Sequence, residues 1–580
     1  MAQQKAYPHR TFETQLLPTD ATPLDFAETS PQASAESSQS ASSSRQPQLE
    51  PLRRVQISSC GQTTRSSLQR ASEALHAQLP VAFPTETVYG LSANALSSAS
   101  CKAIFDAKGR PQDNPLIVHV CDLDMAEEIT MQGWEAPRSY EAIMKRFWPG
   151  GVTLLMPAAR KAGTAASSAQ AANGIGDRNS SFFKGKGKAD IPLMVTAQHP
   201  LVGIRMPSHP LARALIAHAR IPLAAPSANA SGRPSPTTAH HVMYDLGGGL
   251  DAHPEATQTD GRGRIPFVLD GGSCSEGVES TVIDGMTDPT ELRILRPGAV
   301  GPEEIEQCLV DAGLSVPGAT DAEGTANDHV KLRVYGRDTV REVGFEANPT
   351  TPGMKYRHYS PTAPVVLFVP SSESSQRTQG LSKWDAVLQQ ELKELSAAKE
   401  STAGSSTGPL RVGIMLLADS ALANAISSRA TQPVKDWLEA QCQPPRAPAA
   451  AAAAANGDKR KLEEEELLSA LSPSFSLSLD SDTPNQATEI EVVLFSLGNL
   501  SAPHLPARRL FAGLRRLDAE VQVQGNRGNT PVGDDAVKNE TMKPKGVDLI
   551  VVEAVDDKGI GLAVMNRIGK AAGGTVQVAV

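Results

Sequence analysis

The stretch Leu79-Pro-Val-Ala-Phe-Pro-Thr-Glu-Thr-Val-Tyr-Gly-Leu, residues 79–91, decides how the first half of the chain is read. A short apolar run, Val81 to Phe83, stops at Pro84 and opens into Thr85, Glu86 and Thr87. A buried strand that ends in small polar residues delivers hydroxyls and a carboxylate to a sheet edge, where open α/β folds bind their ligands. The other reading of Thr followed by Glu is the cap of a helix start, and the residues alone leave both open. Comparable short runs follow at Leu116-Ile-Val-His-Val, Val152-Thr-Leu-Leu-Met and Thr281-Val-Ile-Asp, set among segments of helical period, in a dense block over roughly 53–315. A second block, 363–580, carries Val365-Val-Leu-Phe-Val, Val412-Gly-Ile-Met-Leu-Leu, Glu491-Val-Val-Leu-Phe and Val547-Asp-Leu-Ile-Val-Val. Continuous apolar runs of that length suit a parallel sheet covered on both faces. The expected fold class is therefore α/β in both blocks, the second smaller and Rossmann-like.

Working outward, the 580 residues alone suggest about three or four domains. Aromatics make up only 4%, and Ser/Gln/Ala-rich filler separates the dense blocks, which reduces the expectation to two. Residues 1–52 are expected to be a disordered N-terminal segment, with insertions near 161–190 and 252–264 and a linker over 316–362. No window holds about 18 uninterrupted apolar residues, which argues against a membrane span. The N-terminus has neither a secretory apolar core nor the acid-poor composition of a transit peptide. Six scattered cysteines without a C-x-x-C pair point to a reducing compartment, against a zinc ribbon or disulfide scaffold. Net charge −9 excludes a globally basic nucleic-acid binder, though not a local patch such as Lys184-Gly-Lys-Gly-Lys.

Several loops carry chemistry. In Lys108-Gly-Arg-Pro two cations stand one residue apart, stiffened by Gly109 and Pro111, a pairing that suits a polyphosphate. Asn114-Pro-Leu follows, then His119 on an apolar strand, where a hydrogen-bonded core histidine is the commoner occupant. Pro226-Ser-Ala-Asn-Ala-Ser-Gly places Ser227 and Asn229 where a ligand can approach the backbone closely, and Ser235 with Pro236 reads as a helix start. Arg205 and Arg296 each end an apolar run, and Glu279-Ser-Thr-Val-Ile-Asp brings Ser280 to another strand start. No Walker-type loop, G-x-S-x-G or H-E-x-x-H is present. Bottom-up, this is a cationic, hydroxyl-rich cleft for an anionic ligand.

Taken in order, Pro84-Thr-Glu-Thr-Val-Tyr-Gly-Leu, Lys108-Gly-Arg-Pro with Asn114-Pro-Leu, Trp148-Pro-Gly-Gly-Val-Thr, Arg205-Met-Pro-Ser-His-Pro, Ser227-Ala-Asn-Ala-Ser-Gly, Glu279-Ser-Thr-Val-Ile-Asp and Arg296-Pro-Gly resemble the YrdC family. Pro352-Gly-Met-Lys-Tyr-Arg-His-Tyr-Ser-Pro resembles the linker of its larger, two-domain threonylcarbamoyl-AMP synthases. The resemblance implies a YrdC-like twisted open sheet with a ligand cleft, and synthesis of threonylcarbamoyl-AMP and pyrophosphate from L-threonine, bicarbonate and ATP with Mg²⁺. The product would pass to the complex that threonylcarbamoylates the adenosine next to the anticodon in tRNAs reading ANN codons. It further implies that Lys108, Arg110, Ser227 and Asn229 hold the phosphates and the reacting carboxyl group. Thr87, His119, Arg205 and Ser280 would line the threonine pocket. Asn114, Ser235 and Arg296 would contact the nucleotide, while His358 and Tyr359, with Tyr356, close over the site. The metal would arrive with ATP, the location would be cytoplasmic with a mitochondrial pool left open, and no membrane is implied. Gly151 stands where the family usually has Pro. A YrdC-like RNA-binding module without catalysis is the alternative; a hydrogenase-maturation carbamoyltransferase would need paired C-x-x-C motifs, which are lacking.

Overall fold

The computed structural model describes residues 12–20, 24–28, 55–161, 179–248, 262–287, 291–314, 330–335, 351, 359–371, 383–400, 410–442, 469–479, 488–500, 502–519 and 546–579. The chain divides into two compact units, 1–358 with 447–464 and 557–564, and 359–446 with 465–556 and 565–580. Among the described residues no helix is long and apolar enough to cross a membrane.

The first unit is built on an 11-stranded mixed sheet. From one edge its strands run Gln15–Leu17, Phe267–Leu269, Val81–Phe83, Gly90–Asn94, Leu223–Ala224, Ile117–His119, Leu201–Arg205, Val152–Pro157, Thr281–Asp284, Glu291–Arg296 and Lys331–Val334. The central strands are buried along their whole length, which is why they read as unbroken apolar runs rather than as an alternation. Helices cover the faces. Gln62–His76 turns Leu68, Ala71 and Leu75 onto the same apolar cluster as Leu17, Phe83 and Leu215. Ser98–Lys108 starts at Ser97, whose hydroxyl accepts from the Ser100 amide, and stops at Gly109, where φ is +62°. A left-handed residue at that position is the usual helix terminator, and glycine adopts it without Cβ strain.

Three expectations about filler are corrected. Residues 1–52 are not all unstructured: Gln15–Leu17 extends the sheet in parallel beside Phe267–Leu269, and Asp25–Glu28 pairs with Val55–Ser59. Leu17 is almost wholly buried, so the strand is held by an apolar anchor whose partner lies some 250 residues away and leaves no local signature. Within 161–190, Asn179–Lys184 forms a strand paired with Glu135–Pro137, and Phe183 beds against Trp134. In the 316–362 linker, Lys331–Val334 adds the far edge strand, parallel to Glu291–Arg296. Most of 252–264 lies outside the described residues.

The second unit holds a 6-stranded sheet in the order Phe475–Leu479, Thr488–Gly498, Arg411–Leu417, Leu549–Glu553, Val365–Ser371, Gly574–Ala579. All its pairings are parallel except that of the edge strand Phe475–Leu479. All four apolar runs singled out in the second block are strands of this sheet. The fold class is α/β throughout.

A single hydroxyl ties the back of the first sheet together. Tyr140 is fully buried; its O–H donates to the Leu155 carbonyl at 2.9 Å and accepts from the Gly285 amide at 2.8 Å. Tyr140→Phe strands both backbone groups in the core, so the first unit is expected to lose about 2 kcal/mol, read as a lowered thermal midpoint with the near-ultraviolet spectrum preserved.

Candidate active site

The register of the central strands builds the site. Leu223 pairs with His119, His119 with Arg205, Arg205 with Thr153, Thr153 with Val282, and Val282 with Arg296. Residues paired across neighbouring strands share a face of the sheet. One row across the sheet therefore gathers His119, Arg205, Thr153 and Arg296, which lie far apart in the chain.

The loop after Val81–Phe83 reaches this row at Arg205. It is neither a helix cap nor an open strand end. Thr85 Oγ1 donates to the Val88 carbonyl at 2.6 Å, receives the amides of Thr87 and Val88, and lies 2.9 Å from Thr87 Oγ1. The hydroxyl closes the turn on itself, and the chain enters Gly90–Asn94 as the antiparallel neighbour. Gly90 is required there, because a Cβ would stand 2.8 Å from the Phe83 ring. Between the two threonines, the buried carboxylate of Glu86 meets Arg205 Nη2 at 2.5 Å and accepts the Ser208 amide at 3.1 Å. Arg205 Nε donates to the Gly150 carbonyl at 3.2 Å.

Burial, then the neighbouring Arg205 charge, push His119 down to about 3, against the Ile117 and Leu223 carbonyls, which favour its charged form. The ring is thus neutral at any physiological pH. It stands edge-on to Phe83, 5.9 Å between centroids, and its buried Nδ1 has no hydrogen-bond partner among the described residues. The same is true of Asn114 Oδ1. Half-buried Glu276, whose amide donates to the Glu86 carbonyl, has its carboxyl raised by burial and by the charges of Glu86 and Glu304, with Arg205 opposing.

Farther along the row, Ser280 Oγ lies 2.8 Å from Thr153 Oγ1 and accepts from Arg296 Nη2 at 3.1 Å, while the same guanidinium donates to the Ser280 carbonyl. Gly298 makes this approach feasible: any Cβ would fall 2.3 Å from the Ser280 backbone. Gly151, where the family usually has Pro, faces Ala299, which a Cβ there would reach at 2.8 Å, and Thr87 Cγ2 at 3.6 Å.

The second cluster joins Lys108 to the 227–235 loop. Lys108 is 4% exposed, and its ammonium donates to the Ser227 carbonyl at 2.5 Å, the Asn229 carbonyl at 2.6 Å and Asn229 Oδ1 at 3.3 Å. Ser227 Oγ donates to Asn229 Oδ1, and Asn229 Nδ2 is held by the carbonyls of Ala230 and Arg233. Ser235 is fully buried and donates to Glu279 at 2.5 Å. Arg110 is half-buried just past the helix end.

Of the predicted residues in the first unit, His119, Arg205 and Arg296 lie on the row, Ser280 is bonded to Arg296 beside it, Thr87 sits in the turn closed by Thr85, Lys108, Ser227 and Asn229 meet at the loop, and Ser235 is bonded to Glu279. Tyr356 and His358 lie outside the described residues. Tyr359 belongs to the second unit, with φ +67° and its ring 5.2 Å from Phe511 and 5.8 Å from the Arg567 guanidinium. Thr153 ends the Trp148-Pro-Gly-Gly-Val-Thr run with no local sign of a role, and its position between Arg205 and Ser280 exists only through register. The basic run is neutralised locally: Lys184 pairs with Glu135, Lys186 with Asp124 and Glu127, and Lys188 with Glu128.

Two family models match this chain. One, described as telomere recombination, covers residues 73–181 and 181–298, and the other, described as threonylcarbamoyl-AMP synthase, C-terminal domain, covers 300–573. The chain is 38% identical over 341 residues to a threonylcarbamoyl-AMP synthase of Schizosaccharomyces pombe, spanning 56% of this chain and 69% of the relative. It is 38% identical over 318 residues to that of Bacillus subtilis, spanning 54% and 70%. A crystal structure of P. abyssi Sua5 complexed with L-threonine is similar over 89% of this chain and 96% of that one, with a TM-score of 0.50 and 28% identity.

Proposed function

This chain belongs to the two-domain, Sua5-type threonylcarbamoyl-AMP synthases, enzymes of the t6A tRNA-modification pathway, and on that premise we propose which of its residues carry the reaction. L-threonine occupies the row, with its carboxylate on Arg205 and its remaining polar groups among Thr87, His119 and Ser280. ATP lies toward the loop, its phosphates at Lys108, Arg110, Ser227 and Asn229, its nucleoside at Asn114, Ser235 and Arg296. The observation that supports this reading best is the contact of Lys108 with Ser227 and Asn229, which joins two motifs 119 and 121 residues apart at one buried cation. A lysine ammonium held at that loop is a point charge suited to a phosphate.

The threonine amine adds to CO₂ with loss of a proton, or to bicarbonate with loss of water, to form a carbamate. A carbamate oxygen then attacks the α-phosphorus, and pyrophosphate leaves. No covalent nucleophile on the protein is required; positioning and charge neutralisation suffice. His119, held neutral, adds no positive charge beside Arg205, and the unpartnered Nδ1 of His119 and Oδ1 of Asn114 are polar groups that bound substrate would satisfy. Mg²⁺ would enter with the triphosphate, whose oxygens suit a hard cation. The adenylate is handed to the tRNA threonylcarbamoyl-transfer machinery.

Incubation with ATP, bicarbonate and labelled L-threonine tests the reading. Mass spectrometry is expected to find the labelled mixed anhydride, with one pyrophosphate released per molecule formed. Pyrophosphate release that does not depend on threonine overturns it.

A further inference from the structure

Resting on the threonine assignment above, one buried group near the substrate still lacks a role in the reaction. Glu86 sits in the sequence between Thr85, which closes the turn, and Thr87, which is assigned to the threonine pocket, and its side chain turns inward rather than to solvent. Its two oxygens are used differently. Oε1 meets Arg205 Nη2, and Oε2 takes the amide of Ser208, three residues beyond Arg205 on the same segment. Both side chains of the pair are nearly sealed from water, at 5% and 8% exposure. The carboxylate is thus fixed at both ends, by the closed turn of Thr85 and by the backbone of the strand exit that carries Arg205.

We propose that Glu86 is a positioning residue of the threonine subsite, which locks the Arg205 guanidinium so that its outer end is presented to the α-carboxylate of the amino-acid substrate. The geometry of the fork supports this. Nε donates to the Gly150 carbonyl and Nη2 to Glu86, so both contacts lie along the Nε–Nη2 edge. A carboxylate that binds bidentately across the Nη1–Nη2 end approaches from a different direction and does not displace Glu86. Arginine has several rotatable bonds, and two fixed contacts remove the freedom that substrate binding would otherwise have to freeze. Glu86 also balances a buried charge. Before threonine binds, Arg205 would be a desolvated cation beside neutral His119, and the pairing keeps it in place.

The consequence is selective. Loss of Glu86 loosens the grip on the amino acid while the ATP cluster around Lys108, built on other elements, is unaffected. Steady-state pyrophosphate release of the full-length chain is measured with L-threonine and ATP varied in turn. Glu86→Gln, of equal size and with one oxygen left for the Ser208 amide, is expected to raise KM for L-threonine at least tenfold and leave KM for ATP within twofold. Glu86→Asp keeps the charge but withdraws it by one methylene, and is expected to lie between Gln and wild type. If Glu86→Gln fails to fold, Glu86→Asp carries the test, and a threonine KM raised at least threefold with KM for ATP unchanged supports the role. Equal rises in both KM values, or an unchanged threonine KM in the folded variant, overturn it. Failure of the underlying reading looks different, because wild-type protein would then show no dependence on threonine at all.

Discussion

Lys108→Ala is expected to lower threonine-dependent pyrophosphate release by ~10²–10³-fold, the range lost when a preorganised electrostatic donor is removed from an active site. The ammonium is placed by local structure: it is the last residue of the Ser98–Lys108 helix, terminated by left-handed Gly109. From there it donates to Ser227 and to both acceptors of Asn229, so the substitution removes a cation and the clasp on the loop together. Two backbone carbonyls lose a partner, which costs about 2 kcal/mol of stability, a tolerable loss for a unit with so extensive a core. The signature is thus an inactive but folded protein, with a thermal midpoint a few degrees down. Arg110→Ala, which removes a half-buried cation just past the helix end, is expected to lower the rate as well. Wild-type rates in both variants would sink the phosphate assignment.

The second large effect lies in the other unit. Glu553 ends the strand Leu549–Glu553 and is 2% exposed, its Oε2 receiving the Leu417 amide and the Ser420 hydroxyl, each at 2.9 Å. Ser420 in turn caps the helix Ala421–Arg429. Burial raises the carboxyl from 4.5 to about 7; those two hydrogen bonds oppose the rise, and the Asp419 charge adds to it. The folded state therefore binds more protons than the unfolded chain between those pH values. Its stability falls as pH rises from about 4.5 to 7 and is flat above, a total of about 3 kcal/mol at ~1.4 kcal/mol per tenfold change in proton affinity. Glu553→Gln keeps an acceptor for Leu417 and Ser420 and never ionises. By calorimetry the variant is expected to gain about 2–3 kcal/mol over wild type at pH 8 and almost nothing at pH 4.5. An equal advantage at both pH values would show that charge burial is not the cause.

Much of this was legible residue by residue. The runs at Val365, Val412, Glu491 and Val547 announced a buried parallel sheet because both faces of each strand are covered, so that no polar alternation is left. The helix that carries Lys108 ends where Gly109 stands. Lys108 with Ser227 and Asn229 could be named from their motifs. The strand at Gln15–Leu17 could not, because three residues hold their place only through Phe267–Leu269 and the buried Leu17. The Thr85-Glu86 pair misleads for a related reason. A threonine hydroxyl satisfies backbone amides equally well at a helix start and in a tight turn, and the antiparallel neighbour decides between them.

The sequence by itself determined which chemistries are present: cations at 108, 110, 205 and 296, hydroxyls at 87, 227, 235 and 280, and a neutral-capable imidazole at 119. These follow from side-chain identity and from local rules of strand, turn and cap. Only the tertiary structure decided which of them meet. Strand pairing sets a row from His119 through Arg205 and Thr153 to Arg296, and a one-residue slip in any pairing would turn that strand's member of the row to the opposite face. It also turned Glu86 from a polar residue at a sheet edge into the buried partner of Arg205. Register is settled by the fit of the whole core, a sum over contacts distant in the chain, and no short stretch of sequence contains it.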